Sequence, residues 1–86
     1  MAAAESLFEF LWPRLSAKGV KSQKDLAALL GVSQPTVSVY VSGQVVLPHD
    51  KIATLISALG LDDSAELELD RLVRAVDAER AAARAA

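Results

Sequence analysis

Residues 22–43 read SQKDLAALLGVSQPTVSVYVSG, and no other stretch constrains the fold as strongly. Two short segments, 23–30 and 34–42, each follow a serine and each end at a glycine. A serine hydroxyl accepts from the N–H groups that the first turn of a helix leaves unpaired, so Ser22 and Ser33 are expected helix N-caps. Asp25, three residues after Ser22, supplies a short-armed version of the reciprocal cap. Pro35 falls in the first turn of the second segment, where a missing N–H costs nothing. Gly31 fits the left-handed position that ends a helix, and Gly43 ends the second segment. Only Gly31, Val32 and Ser33 separate the two segments, a three-residue turn led by glycine.

The rest of the chain is punctuated in the same way. Residues 5–18, ESLFEFLWPRLSAK, predict a first helix with Leu7, Phe8, Leu11 and Leu15 on its core stripe. Pro13 is expected to kink or split it near Trp12, and Gly19 to stop it. QVVLP reads as a connector. Pro48 then precedes a fourth helix over residues 49–59, with Ile52, Leu55, Ile56 and Leu59 at helical spacing and Gly60 as its stop. Asp63 with Glu66 is the expected opening of a fifth helix that runs to about residue 83, acid-rich at its start and Arg-rich at its end, as the helix dipole favours. Its Ala-rich end is expected to fray. No period-2 alternation suggests a sheet. The fold class is therefore all-α: a five-helix bundle with a central helix-turn-helix at residues 23–42 and a long C-terminal helix. A chain of 86 residues suits one domain. Within it, residues 1–61 are the expected helix-turn-helix DNA-binding core and residues 62–86 a C-terminal dimerisation element.

A helix-turn-helix needs a small residue where its helices cross, a residue tolerant of positive φ at the turn, and apolar residues that lock the second helix down. Ala27, Gly31 and Val37 with Val32 and Tyr40 meet these needs. DNA binding also needs positive charge, and the net charge is −2. That charge is unevenly distributed: residues 1–13 carry −2, residues 14–51 carry +3 and residues 52–86 carry −3. The basic island, with Arg14, Lys18, Lys21, Lys24 and Lys51, surrounds the motif, and the local field matters more than the total.

With these residues, SQKDLAALLGVSQPTVSVYVSG followed by Pro48 and IATLISALGL, the chain resembles the Cro/C1-type (XRE-type) helix-turn-helix repressors of phages and plasmids over about residues 14–61. The resemblance implies a five-helix bundle whose dimers bind palindromic operators. It implies that Gln23 touches phosphate and braces Gln34, that Gln34 reads adenine, and that Pro35, Thr36, Ser38 and Val39 occupy the outward positions that vary with operator sequence. Two departures stand out. Pro35 and Val39 sit where many members carry Arg, Gln or Asn, and Val41 replaces a common Glu, which implies altered packing there. The chemistry of the side chains agrees with the implied roles. Gln offers the paired donor and acceptor that suits adenine N6 and N7, and Thr36 and Val39 can meet a thymine methyl. The expected base contacts are thus Gln34, Pro35, Thr36, Ser38 and Val39. The expected phosphate contacts are Gln23, Ser33, Lys21, Lys24, Ser42, Gln44 and Lys51, helped by helix-start N–H groups.

The apolar stripe of the fifth helix looks longer than a small bundle needs, so Leu69, Leu72, Val73 and Val76 are assigned to a homodimer interface. Phe10 and Trp12 have two readings, completion of the core or an apolar patch between subunits. The leading function is a sequence-specific repressor acting as a homodimer on operator DNA. One rival is an antitoxin-type autoregulator whose C-terminal helix binds a further protein partner, and another is an interaction module that binds no DNA. No enzyme is expected, because no nucleophile–base set or carboxylate pair stands out. No cofactor or small-molecule effector is indicated. No metal site is expected either, since the chain has no cysteine and one histidine, His49. No apolar run approaches the roughly 18 residues of a membrane span. MAAAES lacks a positively charged leader, so a cytoplasmic location is expected.

Overall fold

A computed structural model describes residues 2–85. The described chain is all-helical: α1 (Ala2–Ala17), α2 (Gln23–Leu30), α3 (Gln34–Ser42), α4 (His49–Leu59) and α5 (Asp63–Ala85). α1 and α5 pack along each other, α2 lies against α3, α3 also meets α1, and α4 touches α2. The α1–α5 pair is antiparallel: the Ala3 N–H donates to the Glu79 carboxylate at 3.0 Å, while Phe10 and Arg14 lie beside the start of α5.

Local chemistry sets the ends of the short helices. The Ser22 hydroxyl accepts from the Asp25 N–H at 3.1 Å, and the Asp25 carboxylate accepts from the Lys21 N–H at 3.2 Å. This is the expected reciprocal cap, with the carboxylate reaching one residue further back. Gly31 has φ +68°, and the Gly31 and Val32 N–H groups both turn back to the Ala27 carbonyl. The cap of α5 falls one residue earlier than expected. Asp62, not Asp63, accepts from the Ala65 N–H at 2.8 Å.

The core joins all five helices. Leu11 and Leu15 of α1, Leu26 of α2, Val37 of α3, Leu55 of α4 and Leu69 of α5 are its most enclosed large side chains. Ala27, buried, keeps the α2–α3 crossing close, and Tyr40 is buried on the inner face of α3. Leu47, which the sequence placed in a plain connector, is buried as well.

Three expectations change. α1 is neither split nor begun at residue 5; it runs continuously from Ala2 to Ala17 with Pro13 inside. The ring disturbs the backbone ladder of the preceding turn, and there the Phe10 carbonyl accepts from the Arg14 guanidinium at 2.8 Å. α5 reaches Ala85 as a helix. Most consequentially, Leu69, Leu72, Val73 and Val76, assigned to a dimer interface, are buried inside the subunit, with Leu69 fully enclosed. They share one core with the α1 stripe from Ala4 to Leu15, the helix that α5 packs along.

Candidate nucleic-acid interface

The outward face of α3 is built on a tightly fixed first turn. The Ser33 hydroxyl accepts from the Thr36 N–H at 3.3 Å, and the Ser33 and Thr36 hydroxyls are hydrogen-bonded at 2.8 Å. Pro35, in that same turn, fixes its own φ. Gln34, Pro35 and Ser38 are exposed, and together with the half-buried Gln23 of α2 they line one shallow concavity. The two glutamines paired by the sequence reading therefore share a surface. Thr36 and Val39 are different. Both are half-buried, and the Thr36 hydroxyl is already engaged by Ser33. The Val39 side chain packs at the edge of the core.

The residues expected to meet phosphate also divide. Lys21, Lys24, Ser33, Ser42 and Gln44 are exposed around the α2–α3 unit. The Ser42 hydroxyl donates to the Val39 carbonyl at 3.2 Å, and the Gln44 carbonyl accepts from the Arg80 guanidinium. Lys51 has a task inside the subunit. Its ammonium donates to the Leu30 carbonyl at 3.0 Å and lies 3.3 Å from the Asp50 carboxylate. It thus caps the end of α2 from α4, a contact between residues 21 apart that no local pattern announces. Arg14 is similarly engaged, with its guanidinium 3.9 Å from the centre of the Phe10 ring.

On α5, Arg71 pairs with Glu68 at 2.6 Å and Arg74 with Asp70 at 2.9 Å. The hydrogen bond from Arg71 holds the Glu68 carboxyl below the usual glutamate value. These pairs neutralise the middle of α5, so the basic character of the surface stays with the lysines before and within α2. Among the described residues no cluster of His, Asp and Glu could hold a metal ion. No helix of the described chain is long and apolar enough to cross a membrane.

Two short capped helices crossing at an alanine, a glycine-led turn, and a second helix with a polar outer face define a helix-turn-helix fold. The chain belongs to the helix-turn-helix domain family, whose model matches residues 14–69, more than half of the chain. That span includes all of α2, α3 and α4 and ends within α5. No curated protein and no solved structure matches the chain. Membership in this family identifies a DNA-binding regulator as the functional class.

Proposed function

We propose that the protein is a sequence-specific transcriptional repressor of the Cro/C1 type, which binds palindromic operator DNA as a homodimer with α3 in the major groove of each half-site. The observation that carries this reading is the shared concavity of Gln23, Gln34, Pro35 and Ser38 on an exposed, uncharged helix face. Gln34 reads adenine through its amide, Ser38 reaches a base edge, and Pro35 lies against the groove wall. Thr36 contributes through the rigidity it gives Ser33, and Val39 meets a thymine methyl with the part of its side chain that remains open. Lys21 and Lys24, with Lys18, hold phosphates, joined by Gln23, Ser33, Ser42 and Gln44. Lys51 supports α2 and is left out of that set. The protein works by occupying promoter DNA in the bacterial cytoplasm and catalyses no reaction.

Selection of bound sequences from a random DNA pool tests the reading. The expected product is a palindrome with two fixed half-sites about one helical turn apart. Recovery of sequences with no common half-site overturns it.

A further inference from the structure

An apolar concavity lies between α1 and the C-terminal half of α3. It is lined by Glu5, Phe8, Glu9, Trp12, Pro13 and Val41. Its floor is hydrocarbon and aromatic: the Trp12 ring tilts at 45° to the Phe8 ring with 5.9 Å between centres. Trp12 and Val41 are only half-buried, so the subunit leaves this floor partly uncovered. Glu5 and Glu9, one helical turn apart and exposed, form an acidic rim. Neither has an ion-pair partner among the described residues.

A mirror image of that pattern stands at the other end of the chain. Because Ala3 meets Glu79, α5 continues past the start of α1, and residues 81–85 are all exposed. This overhang carries Arg80 and Arg84, also one helical turn apart, among alanines small enough to let another helix approach closely. Among the described residues neither Arg80 nor Arg84 has an ion-pair partner; Arg80 is half-buried and its guanidinium donates to the Gln44 carbonyl. The overhang and the groove flank the same end of α3: Arg80 and Arg84 line a hollow with Gly43, while Val41 lines the groove. Apart from Val41, the groove residues lie before the matched segment 14–69, and Arg80 and Arg84 lie after it.

We infer that the groove between α1 and α3 receives the α5 overhang of a second copy of this chain, with Arg80 and Arg84 against Glu5 and Glu9. The apolar floor supplies area and the two charge pairs supply register. Groove-on-groove pairing is disfavoured, because it sets the two acidic rims against each other. As groove and overhang are neighbours, one two-fold axis allows both subunits to make the contact reciprocally. The inference deepens the homodimer of the proposed function by naming its surface, and it rests on that reading.

Sedimentation equilibrium of the full chain, without DNA, tests it. The wild type is expected to dimerise. Glu5→Arg/Glu9→Arg makes groove and overhang both basic, and Arg80→Glu/Arg84→Glu makes both acidic. Each variant alone is expected to self-associate about a hundredfold more weakly. Mixed together, the two variants restore opposite charge at both contacts and are expected to form a heterodimer of near wild-type affinity. Circular dichroism checks folding, and Arg84→Glu alone serves as the second variant should loss of the Arg80–Gln44 contact disturb the fold. A monomeric wild type overturns the inference. So does a dimer indifferent to the substitutions, or a mixture that fails to associate. Because association is read without DNA, failure of the operator selection leaves this result standing; a dimer indifferent to the substitutions overturns this surface and leaves the proposed function intact, whereas a monomer also removes its homodimer.

Discussion

α1 and α5 are held by area; α2 and α3 are held by their ends. The first pair runs for 16 and 23 residues and buries a continuous apolar stripe from Ala4 to Val76. The second pair has 8 and 9 residues, lengths at which an isolated helix is marginal in water. Those short helices persist because Ser22, Ser33, Gly31 and Lys51 satisfy their terminal backbone groups and because Leu26, Leu30, Val37 and Tyr40 dock them on the frame. The division separates two kinds of fragility. The frame is sensitive to lost volume, whereas the reading unit is sensitive to lost hydrogen bonds and backbone geometry.

Substitutions can break this comparison, beginning with the frame. Leu69→Ala removes a fully buried side chain and is expected to lower unfolding free energy by about 2–5 kcal/mol in urea titration. A cost below about 1 kcal/mol would show that α5 does not carry the frame. Gln34→Ala tests the opposite region. It is expected to weaken operator binding by about 1–3 kcal/mol and relax one base position, while stability changes by no more than about 0.5 kcal/mol. Equal loss on every DNA sequence would remove Gln34 from base reading. Gly31→Ala probes backbone geometry alone, since an added Cβ at this φ of +68° meets nothing within 4 Å. The expected destabilisation is about 1–2 kcal/mol, measured by thermal or urea unfolding. Lys24→Ala should have the smallest effect: affinity for specific and random DNA falls together, and the slope of log affinity against log salt shrinks by about 1. An unchanged slope would exclude Lys24 from phosphate contact.

The same contrast decides what could be read from the sequence. The bounds of α2, α3 and α4 were legible to the residue, because serines, glycines and Pro48 mark them through contacts no more than a few positions apart. The frame was less legible. Whether Pro13 breaks a helix depends on what else holds it. Here a stripe from Ala4 to Leu15 packed on α5 holds α1 whole, and the Arg14 side chain serves the disturbed turn. Leu69, Leu72, Val73 and Val76 are buried in a core shared with α1, a helix more than 50 residues away in sequence, which no local pattern announces. At the interface, the family resemblance paired Gln23 with Gln34 and turned Ser38 outward, and the three line one concavity. Residue types gave no sign that Lys51 reaches back to Leu30 or that Ser33 engages the Thr36 hydroxyl, because both depend on where a side chain turns in space.

The first turn of α3 carries a thermodynamic consequence. Ser33 tied to Thr36 through backbone and hydroxyl, with Pro35 rigid between them, leaves the tip of the reading helix little conformational freedom to lose when DNA arrives. Under the proposed function, adaptation therefore falls to the duplex. Half-sites whose steps deform easily bind with the smaller penalty, and preference extends to base pairs the protein never touches.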